Sequence, residues 1–86
     1  MTSYVAVFRS KTQLLTFMQA MRHEGVPIQT TQTPPKAGVG CGISASFDKR
    51  YYTVARKIIN VYQLNSLHCF FQITKDGVRI TYERIN

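Results

Sequence analysis

The order in which hydrophobic periodicity switches between two residues and 3.6 residues constrains this chain more than any other feature. Tyr4-Val-Ala-Val-Phe8 is short, β-branched and aromatic, which predicts a first strand ending at Arg9-Ser10. Ser10 stands three residues before Gln13, a capping-box spacing in which each side chain can reach the other's orphan backbone donor. Leu14, Met18 and Met21, with Leu15 beside them, recur at helical spacing, and Gly25 tolerates the left-handed conformation that closes a helix. The spacing predicts a helix over residues 11–24. Residues 26–31 read as a second strand, in which Pro27 suits an edge or the first positions.

Pro34, Pro35, Gly38, Gly40 and Gly42 punctuate residues 32–42 too densely for a regular element, which predicts a surface loop. Ile43, Ala45 and Phe47 then alternate with Ser44 and Ser46, the pattern of a half-buried third strand. Asp48 suits a helix N-cap, and Tyr51, Val54, Ala55, Ile58, Ile59 and Tyr62 repeat at three and four residues as one apolar stripe. Residues 67–74 form an aromatic strand. Lys75-Asp76-Gly77 turns it into a hairpin with Val78, Ile80 and Tyr82. The expected fold class is α+β: a ferredoxin-like βαββαβ sandwich with an additional C-terminal strand, two helices packed on one face of an antiparallel sheet.

A chain of 86 residues is short for two cores, and no linker, internal repeat or low-complexity segment divides it, so residues 1–86 are expected to form a single domain. The first residues lack a charged region followed by an apolar stretch, and no apolar run approaches membrane-spanning length, so the expected location is cytoplasmic with no membrane contact. Cys41 and Cys69 are then expected to be free thiols. Eleven Lys and Arg face four Asp and Glu, a formal charge of +7 that favours anionic partners.

One feature suggests chemistry. Cys41 lies between Gly40 and Gly42, which leave its sulfur sterically open and allow backbone amides to converge on it, with Lys36 nearby. Such a loop can depress a thiol pKa; the competing reading is a small apolar side chain at the start of a strand. Cys69, inside an aromatic run, reads as a core residue. His23 and His68 need no catalytic role, and no two of the cysteines and histidines share a metal-ligand spacing. The carboxylates of Glu24, Asp48, Asp76 and Glu83 each have a cap, turn or surface explanation, and no motif implies a cofactor. The glycines before residue 43 lack the Gly-Lys-Ser/Thr ending of a phosphate loop, and no strand carries an RNA-recognition signature. Lys49, Arg50, Arg56 and Lys57 form either a solvated face or a docking patch for an acidic partner.

Tyr4-Val-Ala-Val-Phe8, Gly25-Val-Pro-Ile28, Thr33-Pro-Pro35 and Cys41-Gly42 together resemble the small bacterial selenium/sulfur carrier-like domains, over about residues 3–62. The resemblance implies that Cys41 carries sulfur or selenium as a persulfide or selenosulfide, with Gly42 holding the backbone clear. The residues expected to bind are Pro34, Pro35, Lys36, Gly40, Gly42, Arg50, Arg56 and Lys57, and the expected partner is a sulfur or selenium donor or acceptor protein with an acidic surface. On this reading the chain is a carrier or adaptor and not an enzyme in its own right. The alternative is a basic module that binds nucleic acid non-specifically or an acidic protein, with Cys41 purely structural.

Overall fold

β1 (Thr2–Phe8) occupies the middle of a five-stranded sheet because it can be buried on both faces: Val5, Ala6, Val7 and Phe8 are all fully inaccessible. The computed structural model describes residues 2–38 and 42–85, so the expectations placed on Gly40 and Cys41 lie outside the described residues. The remaining elements follow as α1 (Lys11–His23), β2 (Ile28–Gln32), β3 (Ile43–Asp48), α2 (Tyr52–Val61), β4 (Leu67–Asp76) and β5 (Arg79–Arg84). Two 3-10 turns, Pro35–Ala37 and Lys49–Tyr51, precede β3 and α2 respectively. The strands are ordered β2-β3-β1-β4-β5, and every neighbouring pair is antiparallel. Placing β1 between β3 and β4 is the interleaving expected of two split β-α-β units, and β5 extends the sheet beyond β4.

Both helices cover one face. Ala6 and Phe8 of β1, Ala45 and Phe47 of β3 and Phe70 of β4 pack against Leu14, Phe17, Met18 and Met21 of α1 and Ala55 and Ile58 of α2. Aromatic rings knit this layer. Phe70 lies 5.1 Å from Tyr52 and 6.3 Å from Phe47 between ring centroids, both edge-on, and Phe8 lies 5.2 Å from Phe17. Edge-to-face pairs of this kind add about 0.5–1.5 kcal/mol each beyond the area they bury.

The helix signals are realised with local differences. The Ser10 hydroxyl accepts from the Gln13 amide as expected, but the Gln13 side chain does not complete a capping box. Instead its Oε1 accepts from the Ser66 amide and its Nε2 donates to Asn65 Oδ1, tying α1 to the turn before β4. α1 closes with Gly25 at φ 81°, the Gly25 amide donating to Arg22 and the Val26 amide to Met21. This is the 6→1 and 5→2 pair of a Schellman ending, and it pins Val26 in the core instead of in β2, which begins after Pro27. Leu15 is half-exposed, whereas Phe17 supplies the buried bulk between Leu14 and Met18.

Asp48 caps the 3-10 turn and not α2 itself; its carboxylate accepts from the Arg50 amide at 2.9 Å. The β4–β5 loop is Gly77–Val78, one residue later than the Asp-Gly pattern suggests, because Asp76 pairs across the strands with Arg79. Gly77, at φ 64°, takes the first loop position, where a two-residue hairpin turn favours a residue without Cβ. Among the described residues no helix is long and apolar enough to cross a membrane.

Phe70→Ala should cost about 3–5 kcal/mol, because it removes a fully buried ring from the centre of the aromatic layer. Val78→Ala, at an exposed turn position, should stay within about 0.5 kcal/mol. Urea unfolding of the two variants compares them directly; equal midpoints would place the core elsewhere.

Candidate functional site

Strand alternation sends Val5 and Val7 of β1 and Cys69 and Phe71 of β4 to the face without helices, where cross-strand partners Val5↔Phe71 and Val7↔Cys69 lie side by side. That apolar strip is sealed by the segment between β2 and β3. Ala37, at the end of the 3-10 turn, packs onto Val5, Val7, Cys69 and Phe71.

The segment is held at both its base and its crown. At the base the Thr33 amide donates to the Gly42 carbonyl at 3.1 Å, and the Thr33 and Ser44 hydroxyls are hydrogen-bonded at 2.7 Å. Ser44 is fully buried, so this bond satisfies a hydroxyl that water cannot reach. Pro34, at φ −58° and ψ 137°, is the extended residue feeding the turn. Pro35 takes the first turn position, where no amide donor is needed. The Ala37 amide donates to the Pro34 carbonyl at 2.9 Å, and Gly38, at φ 71°, ends the turn in the left-handed region.

At the crown the anchor is His68. A bulge between Val7 and Phe8 lets Phe8 pair with Leu67, which frees His68 from strict alternation. Its Nε2 lies 3.1 Å from the Ala37 carbonyl and its Nδ1 3.2 Å from the Arg9 guanidinium. A guanidinium only donates, so Nδ1 accepts and Nε2–H donates to Ala37, the pattern of a neutral imidazole. The sequence offers no local signal for this role, because His68 and Ala37 are 31 residues apart.

Cys69 lies directly under this lid at 1% exposure, the core thiol expected from its aromatic neighbours. Burial pushes its pKa above the ordinary thiol value, with the Arg84 charge opposing part of the effect. A thiol so placed is neither accessible nor readily ionised.

The residues expected to bind fall into separate places. Pro34 is buried in the lid, while Pro35, Lys36 and Gly42 are exposed along it. A Cβ on Gly42 would meet nothing within 4 Å, so the described surroundings do not demand glycine there. Gly40 and Cys41 lie outside the described residues. Arg50 stands at the other end of β3, five strand rises or about 17 Å along the chain direction from its start. It pairs with Asp48 at 3.3 Å and lies over the Tyr51 ring at 5.7 Å. The Arg50 backbone amide, then its side chain, holds the Asp48 carboxyl below the usual value.

Arg56 and Lys57 belong to α2, and the Arg56 guanidinium sits 6.0 Å from the ring of Phe70 in the helix-side core. The structure therefore gathers Pro34, Pro35, Lys36 and Gly42 on one face and leaves Arg50, Arg56 and Lys57 apart from them. The reason is topological, since α2 packs on the opposite side of the sheet from Ala37. Among the described residues no three His, Cys, Asp or Glu side chains gather as a metal site.

Residues 3–69 match the protein family described as "Putative Se/S carrier protein-like", a span that runs from β1 through the lid and α2 into β4. No curated protein and no solved structure matches the chain.

His68→Ala should remove the one hydrogen bond that ties β4 to the lid, together with the Arg9 contact that orients the ring, and favour lid opening by about 0.5–1.5 kcal/mol. The expected outcome is faster labelling of Cys69 by a thiol reagent, with amide exchange in β1 little changed; an unchanged Cys69 rate would show that Ala37 holds without the imidazole. The raised Cys69 pKa also sets a pH dependence. The native chain keeps a proton that the unfolded chain releases, so this contribution is complete below about pH 8.5 and is lost as the pH rises beyond it. Cys69→Val should flatten that alkaline loss in urea midpoints; identical slopes for the two proteins would contradict it.

Proposed function

The chain belongs to the Se/S carrier protein-like family, and from that membership we propose that it carries sulfur or selenium covalently on Cys41. The thiolate of Cys41 attacks the outer sulfur of a donor protein's persulfide. The donor's S–S bond breaks, the donor leaves as a thiolate, and the transferred sulfur remains on Cys41 as a persulfide. Selenium is carried in the same way as a selenosulfide, and delivery to an acceptor thiolate reverses the roles. No net redox change accompanies either exchange, so residues 1–86 act as a single carrier domain and adaptor and not as an enzyme.

The observation that carries this reading is the division of labour between the two cysteines. Cys69 is sealed under Ala37 with its thiol held protonated, which suits it for packing and not for exchange. Cys41 stands in the Gly-Cys-Gly sequence within the matched span, next to Gly42, on which a Cβ would meet nothing within 4 Å among the described residues. The net charge of +7 favours an acidic donor or acceptor. A reducing, cytoplasmic compartment suits the chemistry, because it keeps both thiols free.

The test is sulfur loading. Incubation with a cysteine desulfurase and cysteine should add one sulfur, visible by intact mass and removed by a reductant. Cys41→Ser should abolish the adduct and Cys69→Val should retain it; absence of any adduct on the unmodified protein would sink the carrier reading. In the native protein Cys41 should react with an alkylating probe at least about tenfold faster than Cys69. Salt-sensitive nucleic-acid binding indifferent to Cys41→Ser, with no adduct, would favour a basic binding module instead.

A further inference from the structure

β5 stands last in the sheet order, so its outer side is an open edge among the described residues. The hairpin decides which of its backbone groups face outward. The Ile85 amide donates to the Phe70 carbonyl at 3.0 Å, and the Asp76–Arg79 pair closes the two-residue Gly77–Val78 loop. Arg79, Thr81 and Glu83 therefore bond inward to β4, while the amides and carbonyls of Ile80 and Tyr82 point out of the sheet. Side chains alternate by face as well. Ile80 and Tyr82 lie beside Ile73 on the helix-free face, and Arg79, Thr81 and Glu83 lie on the other.

Residues 79–83 read Arg-Ile-Thr-Tyr-Glu, which complements its own reverse. Two such strands, antiparallel about a two-fold axis at Thr81, set Arg79 against Glu83 of the second copy, Ile80 against its Tyr82 and Thr81 against its Thr81. The symmetry repeats each unlike pair. The backbones match too, because Ile80 and Tyr82 both point outward and can exchange roughly four hydrogen bonds across the axis. An axis at Ile80 would place Arg79 opposite Thr81, and one at Tyr82 would place Thr81 opposite Glu83, so neither joins opposite charges. An axis at Glu83 would bring like charges face to face. Complementarity thus selects one register.

The side chains suit a second copy of this chain. Ile80 is 48% exposed and Tyr82 is half-buried against the Val5, Val7 and Phe71 cluster, so the paired strands would extend that apolar strip across the axis. Among the described residues neither Arg79 nor Glu83 makes an ion pair. Asp76 stands opposite Arg79 in the hairpin, which would place Arg79 between two carboxylates. Charged side chains on an edge normally discourage pairing, but here Arg79 and Glu83 each meet an opposite charge. Arg84 would fall opposite Val78, so the two copies of Arg84 stand at opposite ends of the paired strands. The other edge, β2, carries no charged side chain and follows Pro27, which has no amide to donate.

We propose that β5 pairs with β5 of a second copy, antiparallel and centred on Thr81, joining the two five-stranded sheets into one continuous sheet. This is a closed, two-fold contact, and it uses neither Cys41 nor the lid. A formal charge of +7 on each copy opposes association, and a six-residue edge is a small interface, so the dimer is expected in concentrated and not in dilute solution.

The test is sedimentation in the presence of a reductant, from micromolar to millimolar protein. The mass should rise toward that of a dimer and stop there. Over the same range, amide exchange should slow at Ile80 and Tyr82, with Thr81 and Glu83 already protected by β4. Arg79→Glu and Glu83→Arg, each alone, should weaken association at least about tenfold, because each places like charges opposite one another twice. Mixing the two variants should restore it, since Glu then faces Arg in both pairs; urea midpoints of the separate variants establish that each is folded. Cys41→Ser should dimerise like the unmodified protein. A monomer at millimolar concentration, growth beyond two copies, protection at β2 or α2 in place of Ile80 and Tyr82, or a mixture no better associated than its folded components would each overturn the proposal.

Discussion

β1 is buried from above, below and both sides, and everything else in the molecule is arranged around that fact. Its Ala6 and Phe8 require the helices, its Val5 and Val7 require the lid, and its two edges require β3 and β4. A strand with four consecutive inaccessible residues cannot sit at an edge, because unpaired amides and carbonyls would then be buried without partners. Once β1 is central, the chain between β2 and β3 must do more than connect them. It has to cover the half of β1 that the helices cannot reach.

This requirement explains why so irregular a segment is so firmly attached. Proline and glycine supply a turn that regular structure would not provide, and Ala37 is small enough to press its backbone close to the sheet. Thr33 and Ser44 close the base, while His68 holds the crown from a bulge in β4. The lid is thus built from long-range bonds, and its stability is coupled to the register of the central strands.

The two faces of the sheet divide the chemistry. The helix side is a dense aromatic layer with Arg56 and Lys57 on its outer helix, a surface suited to solvation and general electrostatic attraction. The lid side pairs a buried, inert thiol with an open groove beside Pro34 and Pro35.

Much of this was readable from the chain because it depends on local periodicity. The alternation in residues 43–47, the helical repeat from Tyr51 and the Ser10 and Gly25 signals all act over a few residues, so they led to the right elements in the right order. The turn at Gly77–Val78 moved by one residue because Asp76 pairs with Arg79, and α2 starts three residues later than an N-cap at Asp48 implies because Asp48 caps the 3-10 turn at Lys49–Tyr51 instead. Gln13 left its own cap for Ser66 because tertiary folding brought a better donor. Spacing could not reveal that Lys36 and Arg56 lie on opposite sides of a sheet or that His68 holds Ala37. The sequence by itself determined which segments are strands and helices and which family they make. Only the tertiary structure decided which faces meet, because that depends on strand order and register between residues far apart in the chain.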